Sequence, residues 1–404
     1  MPKHAEAGSS STIKIRNLYR VFRTIVRYGP LERKDIMTHV NLSWGAVSQY
    51  CNQLIDSGLC VQSSNPTGSV GKIPSQIEAS EARYALIGVN LSSSTIRAAL
   101  MTIRGNVIEQ QVQAVRDTWQ VVPQLVSIIS VLLEHNKDKK VLTIGISAAG
   151  NIDAENGVLL QFYLAPVWKN LQIKAAVEAA CHIPTFLVHD TECVLFAERN
   201  FGILFQKNYH NVLGVITTAG IGSAMMFDGH IYHGSGNNAG ELGHTNAVLN
   251  GSLCGCGHRG CLEMYASRPG IVQQYIEAVN SGNHPELDAS DLSYTYIHKQ
   301  AEEGDPFCRY LFRHAGELTG HACASLCTVL EPEAVLFYGD FARDHDLWLD
   351  GFNQRFYAEV YPGSQTEILF SQMDTTAPML GVAFYSLDLV IEDFLKELID
   401  KGGK

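Results

Sequence analysis

Short amphipathic helices are predicted for the first 60 residues of the chain. Apolar residues recur at helical intervals over residues 13–28, and this helix is predicted to end before Pro30, which cannot continue it. A second short helix is predicted over residues 31–40. After a tight turn, Ser43 is a suitable N-cap for a third helix that stops at Gly58.

Two short helices joined by a tight turn, followed by two strands around a Gly/Ser/Pro-rich tip, predict a winged helix-turn-helix. Amide side chains can pair with adenine edges, while serine hydroxyls and backbone amides at a helix start suit phosphates. We therefore predict DNA binding, with a three-helix bundle used only for protein contact as the alternative. The predicted DNA contacts lie on the first helix, the third helix and the wing: Arg16, Arg20, Ser43, Trp44, Ser48, Gln49, Asn52 and Lys72.

Four arginines are spaced so that they form one cationic stripe on the first helix: Arg16, Arg20, Arg23 and Arg27. Such a stripe suits phosphate contacts, although a solvated helix face has the same spacing. Residues 1–80 hold nine Lys/Arg and five Asp/Glu, a net charge of +4, whereas the rest of the chain has a net charge of −15. This asymmetry favours phosphate contacts, because a basic head can approach nucleic acid that an acidic body repels.

From residue 84 onward, apolar strands alternate with helical segments, which predicts an α/β architecture. Ligands of such folds bind beyond the carboxyl ends of the strands. Residues 84–101 and 211–234 each have the pattern strand, small-residue turn, strand, which indicates two lobes. Helices are predicted at residues 121–136 and 168–181.

The two hairpin turns differ in what they offer a nucleotide phosphate. Residues 217–222 are rich enough in glycine to expose backbone amides to an anion. The other turn has no glycine and no carboxylate to hold Mg²⁺, and phosphoryl transfer depends on such charge neutralisation. Its residues are Asn90, Leu91, Ser92, Ser93 and Ser94.

Three cysteines share C-x-C-x₄-C spacing in a Gly-rich segment of residues 240–263: Cys254, Cys256 and Cys261. With His244 they would form a closed structural zinc site, which leaves no position for a reactive water. His258 could replace His244 as the fourth ligand, and a redox-active thiol cluster or a disulfide is a further alternative. Three glycines would let the backbone wrap around the ion: Gly255, Gly257 and Gly260.

Carboxylates flank this segment. The metal would fix Glu241 and Glu263 in space, and rigidly held carboxylates suit the hydroxyls of a sugar. Asp190 follows a predicted strand and is expected to face the same crevice, where it can act as a general base or simply accept a hydrogen bond. These residues together predict a polyol-binding site.

Composition narrows the class of protein. A chain of 404 residues with 46% hydrophobic and 18% charged residues has the composition of a globular protein with two or three domains. It contains no apolar run of the length of about 18 residues that a membrane span needs. The N-terminus lacks the apolar core of a secretion signal, so the cytoplasm is the expected compartment.

With these motifs together, the chain resembles the ROK family (repressors, uncharacterised frames and sugar kinases), and within it the repressors of the NagC/Mlc/XylR type. The resemblance covers nearly the whole chain. It is most specific in NNAGELGHTNAVLNGSLCGCGHRGCLE, GNIDAENGVLL and VHDTECVLFAE. It implies a winged helix-turn-helix domain over residues 1–80, which ROK kinases typically lack. It further implies an actin/hexokinase-like, two-lobed sugar-sensing domain over residues 81–404.

The resemblance also implies roles for individual residues. Zinc would be held by His244, Cys254, Cys256 and Cys261. Sugar contacts would come from Asp190, Glu241, His244 and Glu263, with Gly150 and Asn151 lining the pocket. In ROK kinases the residue matching Asp190 is the catalytic base. Those kinases carry an Asp-x-Gly-Gly-Thr turn where this chain has residues 90–94, and related repressors have a Gly-Arg-Pro-like wing tip where this chain has residues 71–74.

The sequence therefore predicts a sugar-responsive transcriptional regulator, a repressor that binds a palindromic operator as a homodimer or homotetramer. Its effector would be a sugar or a sugar phosphate, and its cofactor a structural zinc ion. A sugar kinase that retains a DNA-binding head is the alternative. Recruitment to a membrane sugar transporter leaves no readable mark in the sequence, and neither the sugar nor the target genes can be deduced from it.

Overall fold

The structure, a computed structural model, divides by its contacts into two compact units. Unit one comprises Met1–Ala149, Asp153–Cys193 and Pro378–Lys404, and unit two comprises Gly150–Ile152 and Val194–Ala377. The residues that the structure describes are 10–64, 75–116, 118–162, 165, 167–282, 287, 290–339 and 346–402. Unit one joins the predicted head to the first lobe, and the predicted domain boundary after residue 80 stays a prediction.

The N-terminal head contains three helices and three short strands. Its elements are α1 (Ser10–Tyr28), β1 (Leu31–Glu32), α2 (Arg33–Val40), α3 (Trp44–Asp56), β2 (Cys60–Ser64) and β3 (Ser75–Ala79). The strands form an antiparallel sheet of order β1-β3-β2. Ser43 caps α3 through its hydroxyl, which accepts from the amide of Ala46 at 3.4 Å. The predicted helices and wing strands are confirmed, except that residues 31–32 pair with β3 as β1 and the second helix begins only at Arg33. Lys72 lies outside the described residues.

Unit one continues with a five-stranded mixed sheet. The elements that follow the head are, in chain order, β4 (Tyr84–Leu91), β5 (Thr95–Thr102), β6 (Val107–Ala114), α4 (Val121–His135), β7 (Lys140–Ala148), β8 (Asn151–Asp153), β9 (Val158–Gln161), β10 (Lys169–Leu171), α5 (Ile173–Cys181), β11 (Thr185–His189) and α6 (Asp190–Phe201). Of these, β8 and α6 each have residues in both units. The sheet has the order β11-β7-β4-β5-β6. β11, β7 and β4 are parallel, and β5 and β6 are antiparallel to their neighbours.

Unit two repeats this arrangement. Its elements after α6 are α7 (Ile203–Lys207), β12 (Val212–Thr217), β13 (Ile221–Phe227), β14 (His230–Tyr232), α8 (Glu263–Ala266), α9 (Arg268–Ser281), α10 (Tyr294–Glu303), α11 (Pro306–Leu330), β15 (Ala334–Gly339), α12 (Asp346–Glu359) and β16 (Glu367–Phe370). The sheet order is β14-β13-β12-β15-β16, with β16, β15 and β12 parallel and a hairpin beside them. Each unit therefore contains the same five-stranded topology, and the predicted two-lobed α/β architecture is confirmed.

The helix predicted over residues 168–181 is wrong in its first part. Residues 169–171 form β10, and α5 begins only at Ile173. The side chain of Trp168 is fully buried and stacks on Phe162, with ring centroids 5.3 Å apart. Asn170 adopts a left-handed φ of 51°, which a helix does not accept. Tertiary packing of the tryptophan and this backbone conformation thus override the helical apolar spacing.

The C-terminal helix α13 (Ala377–Gly402) packs closely on the sheet of unit one. An ideal Cβ on Gly88 of β4 would lie 2.0 Å from the carbonyl oxygen of Met379. An ideal Cβ on Gly381 would lie 1.8 Å from the carbonyl oxygen of Cys193, on the first turns of α6. Any side chain at these two positions would push the backbones apart. Among the described residues, no helix combines the length and the apolarity that crossing a bilayer requires.

Candidate functional site

One histidine and three cysteines of unit two converge in the segment that follows β14. The ligand atoms of the four residues all lie within 4.8 Å of one another. Nδ1 of His244 lies 3.6 Å from Sγ of Cys254, and Sγ of Cys256 lies 3.6 Å from Sγ of Cys261. Three thiols and one imidazole at such distances can hold a single metal ion. These four residues are called the metal-ligand cluster below.

The alternative fourth ligand, His258, lies beside the metal-ligand cluster. Its Nδ1 is 3.7 Å from Sγ of Cys256, and its side chain is exposed. His258 does not belong to the group whose ligand atoms all lie within 4.8 Å of one another. The geometry therefore favours His244 as the fourth ligand.

Burial changes the acidity of the thiols in the metal-ligand cluster. Desolvation disfavours the thiolate and is the main reason that the pKa of Cys261 rises to about 12. The pKa of Cys254 is raised for the same first reason. A bound cation acts in the opposite direction, because it favours the thiolate. Sulfur and imidazole donors of this kind fit a cation such as zinc, which binds thiolates well.

The backbone around the metal-ligand cluster forms a tight loop. The amide of Cys254 donates to the carbonyl of His258 at 2.8 Å, and the amide of Gly257 donates to the carbonyl of Cys254 at 2.9 Å. Gly257 and Gly260 have φ angles of 92° and 75°. An ideal Cβ on Gly260 would lie 1.7 Å from a backbone carbonyl oxygen. The predicted need for glycine is thus confirmed at these two positions, whereas Gly255 has no positive φ.

Glu241 faces the second ring nitrogen of His244. Oε2 of Glu241 lies 3.8 Å from Nε2 of His244, on the side of the ring away from Cys254. The carbonyl of Gly240 accepts from the amide and the hydroxyl of Ser223 on β13, at 2.8 and 2.9 Å, which anchors this turn to the sheet. A carboxylate that hydrogen-bonds a ligating histidine orients the ring and fixes its tautomer, and 3.8 Å is longer than such a hydrogen bond. The structure therefore brings this predicted pair together.

Glu263 begins α8 and lies against the glycine-rich turn between β12 and β13. Its Oε2 accepts from the amide of Ile221 at 3.1 Å, and an ideal Cβ on Gly220 would lie 2.7 Å from the same oxygen. The amide of Ile221, expected to be available to an anion, thus already binds a carboxylate. A phosphate at this amide would meet a like charge.

The remaining predicted sugar contacts lie on other elements. Asp190 is the first residue of α6, directly after β11 in unit one. Burial raises the pKa of its carboxyl, and the nearby His189 opposes this rise. In unit two, Gly150 has a φ of 95°, and Oδ1 of Asn151 is buried without a hydrogen-bond partner among the described residues. A buried oxygen of this kind suits the hydroxyl of a ligand.

The outer face of α3 is exposed, as the sequence predicts. Trp44 is 56% exposed, and Gln49 and Asn52 are exposed as well. Ser48 is partly exposed and Ser43 holds the helix start. The opposite face supplies the core of the head with Val47, Tyr50, Cys51 and Leu54. The helix therefore presents amide, hydroxyl and aromatic groups to a partner while its apolar side is buried.

The predicted cationic stripe on α1 does not form one exposed surface. Arg16 and Arg20 are exposed, and Arg20 also donates from Nη2 to the carbonyl of Val40 at 2.7 Å and so caps α2. Nη1 of Arg23 lies 2.8 Å from Oδ1 of Asp388 on α13. Burial lowers the pKa of Arg27. The prediction that the four arginines form one exposed stripe is therefore wrong. Helical spacing cannot reveal that α13 covers one end of the stripe.

Two residues near these surfaces were missed by sequence reasoning. Asp388 pairs with Arg23, which lies near the opposite end of the sequence, and no local pattern predicts such a contact. Arg33, the first residue of α2, lies within hydrogen-bond distance of Asn52 on α3 and of Gln62 on β2. The available signal was the position of Arg33 near the start of the predicted second helix.

A winged helix-turn-helix head joined to two α/β units of matching topology, with a Cys/His loop in the second, defines a narrow class of protein. The sequence model of the ROK family matches residues 86–388. The chain belongs to the ROK family.

Individual relatives share the fold at low sequence identity. The xylose repressor of Bacillus subtilis is 22% identical over 399 residues, which cover 96% of this chain and 98% of the repressor. The transcriptional repressor Mlc of Escherichia coli is 23% identical over 385 residues, 94% of each chain.

Solved structures of the family include a ROK transcriptional regulator described as a homologue of E. coli Mlc. It has a TM-score of 0.81 at 24% identity and covers 96% of this chain and 99% of its own. A ROK glucokinase of Streptomyces griseus, solved with glucose and AMPPNP, has a TM-score of 0.64 at 23% identity. The match covers 75% of this chain and 99% of the kinase. These similarities support the fold of the α/β body.

Replacing Cys256 by Ser removes one of the four ligands and tests the metal-ligand cluster. We expect the bound metal, measured by plasma mass spectrometry, to fall to near zero after dialysis. Removal of a residue that only hydrogen-bonds a metal ligand lowers metal affinity by roughly 10- to 100-fold, and the loss of a direct ligand should lower it further. Cys181→Ser is the matched control, since Cys181 lies on α5 outside the cluster. Equal metal content in both variants would contradict the ligand set.

Proposed function

We propose that the chain is a sugar-responsive, DNA-binding transcriptional repressor that controls genes of carbohydrate uptake or metabolism. The observation that carries this proposal is the exposed outer face of α3, whose apolar side is fully used by the head, in a chain of the ROK family. The repressor names of its relatives support the same function. We place the protein in the cytoplasm, where operator DNA and sugars are both accessible.

DNA is bound by the winged head. The exposed groups of α3, namely Trp44, Ser48, Gln49 and Asn52, lie in the major groove, and Ser43 and the first amides of α3 contact phosphate. Arg16 adds a phosphate contact from α1, and Lys72 adds one from the wing. Arg20 contributes chiefly by holding α2, since its guanidinium binds the carbonyl of Val40. A homodimer or homotetramer presents two heads to a palindromic operator.

Zinc would be held by the metal-ligand cluster and would have a structural role. Three cysteine thiolates and Nδ1 of His244 would supply four protein ligands, which would leave no position for a reactive water. The ion would hold His244 and the flanking loop rigid. Glu241 lies beside His244, and Glu263 is held by the amide of Ile221, so both carboxylates have defined positions from which they accept hydrogen bonds from sugar hydroxyls.

The effector is a sugar or a sugar phosphate bound by unit two through Glu241, His244 and Glu263. Nε2 of His244 lies on the side of the ring away from Cys254, so one residue can serve both the ion and the ligand. The unpaired Oδ1 of Asn151, next to Gly150, adds an acceptor. Asp190 remains a predicted contact in unit one.

Coupling between effector and DNA runs within unit one, along α6, α13 and α1. Asp190 begins α6, and one turn later the backbone of Cys193 contacts Gly381 on α13. Two turns further along α13, Asp388 pairs with Arg23 on α1. An effector that favours one position of α6 would therefore change how firmly α13 holds the head. Such coupling requires that the effector binds the two arrangements with different affinity.

The alternative function is a sugar kinase with a DNA-binding head, because the family also includes enzymes such as the S. griseus glucokinase. In that case Asp190 would be the catalytic base. Two observations weigh against it: the 90–94 turn lacks a carboxylate, and Glu263 already occupies the amide of Ile221. A coupled ATP-consumption assay over hexoses and amino sugars distinguishes the functions, and robust turnover would reverse the ranking.

Selection of binding sites from random duplex DNA tests the DNA-binding function. We expect the full chain to enrich a palindromic site. Arg16→Ala should weaken binding to every duplex and reduce the slope of log affinity against log salt by about 1, because one phosphate contact is lost. Lys299→Ala, on the exposed surface of α10, is the control and should change neither quantity. If no sequence is enriched, the head does not read DNA.

The role of α13 predicts that Asp388→Asn separates sugar response from DNA binding. The variant loses the charge that pairs with Arg23 at 2.8 Å but keeps the shape of the side chain. Coupling between sites is commonly worth about 1–3 kcal/mol, or about 5- to 150-fold in affinity. We expect the sugar-dependent change in DNA affinity to shrink several-fold, with DNA binding without sugar retained. Asp393→Asn, exposed on the same helix, should behave as the unmodified chain, and an equal effect of both variants would contradict this coupling.

A further inference from the structure

Arg33 connects the two elements that carry the exposed face of the head. From the start of α2, its Nη2 donates to Oδ1 of Asn52 on α3 at 2.8 Å. The same nitrogen lies 3.5 Å from Oε1 of Gln62 on the wing strand β2, a weaker contact. Both amide side chains are exposed, and Arg33 itself is half-buried between them. One guanidinium thus ties α3 to the wing at the surface that the proposed function assigns to DNA.

The chemistry of the guanidinium fixes how the amide of Asn52 is turned. Arginine has five N–H donors and no acceptor, so the amide atom that faces it must be the oxygen. The NH₂ group of Asn52 then points away from Arg33. Among the described residues, neither Nδ2 of Asn52 nor Nε2 of Gln62 has a hydrogen-bond partner. The surface therefore presents amide donors, with the amide acceptors already engaged.

This orientation restricts which base edge Asn52 can recognise. A bidentate contact with adenine needs the amide oxygen to accept from N6 while the amide nitrogen donates to N7. In Asn52 one lone pair of the oxygen already accepts from Arg33, so N6 of adenine would have to share this oxygen with the guanidinium. The amide nitrogen has no such competitor. A donor fits both O6 and N7 of guanine and fits O4 of thymine, whereas adenine offers it only N7, beside its own N6 donor. The general expectation that asparagine pairs with adenine thus does not hold for this residue.

We propose that Arg33 is a specificity-determining positioning residue: it holds Asn52 so that its amide nitrogen donates to a guanine or thymine edge and disfavours adenine. The inference rests on the proposed DNA-binding function. Nε and Nη1 of Arg33 have no hydrogen-bond partner among the described residues. They remain available to a backbone phosphate, which would brace the same guanidinium from the DNA side.

The test compares selected binding sites of the unmodified chain, Arg33→Met, Asn52→Ala and the double variant. Asn52→Ala first identifies the base pair that Asn52 reads, as the position whose preference is lost. At that position the unmodified chain should prefer guanine or thymine over adenine by about 10-fold or more. In Arg33→Met the amide is free to turn, and we expect the discrimination against adenine to disappear. The double variant should match Asn52→Ala, because the two residues act as one unit.

Lys34→Met is the matched control, since it removes one positive charge from the same turn of α2. Lys34 pairs with Glu32 and contacts neither Asn52 nor Gln62 among the described residues. It should leave every base preference unchanged. Arg33→Lys keeps the charge but changes the length and shape of the side chain, and it should lose the discrimination as Arg33→Met does. Thermal unfolding midpoints of all variants show whether the head stays folded.

Three results would overturn the inference. The first is an adenine preference of the unmodified chain at the Asn52-dependent position, and the second is an Arg33→Met variant that keeps the original preference. The third is a side-chain amide resonance of Asn52, measured in the DNA-free chain, that does not respond to Arg33→Met. This last readout needs no DNA, so it separates failure of the Arg33 contact from failure of the proposed function, which would show as no enriched site for the unmodified chain.

Discussion

In unit two the side chains of three cysteines and one histidine converge on a single point. A metal ion bound there would restrain the positions of the candidate ligand-binding residues around it. Without a bound ion, this loop would be held by hydrogen bonds, such as those that the backbone amides of Cys254 and Gly257 donate and the one from Asn246 to the carbonyl of Arg259. With a bound ion, the side chain of His244 would be held in place between the metal and Glu241. The position of Glu263 is set separately, by its contact with the amide of Ile221. Metal binding would thus convert a glycine-rich loop into a rigid set of hydrogen-bond acceptors.

The second constraint is the packing of α13 within unit one, which also contains the head. α13 approaches the sheet of unit one so closely that Gly88 and Gly381 admit no side chain. A helix packed in this way moves as a rigid element, because interiors deform little. Its ion pair with Arg23 then makes α1 sensitive to the position of α13. The same ion pair explains why Arg23 is less exposed than Arg16.

Local patterns predicted much of the fold and of the candidate site. Apolar spacing identified α3 and its buried Val47 and Leu54, and C-x-C-x₄-C spacing identified the three cysteines of the metal-ligand cluster. Contacts between distant segments could not be predicted in this way. The partner of Arg23 lies near the opposite end of the chain, and the strand around Asn170 depends on the burial of Trp168. Side-chain orientation was also invisible, as the amide of Asn52 illustrates.

The claim that a sugar changes DNA binding is tested by the affinity of the full chain for its selected duplex. This affinity is measured by fluorescence anisotropy in the presence of pentoses, hexoses, amino sugars and their phosphates. We expect one class of sugar to change the dissociation constant of the protein–DNA complex by about 5-fold or more, as is typical of coupled sites. We also expect that Glu263→Gln, which keeps the size of the side chain, removes this response while leaving DNA binding without sugar intact. An affinity that is the same with every sugar would contradict the account.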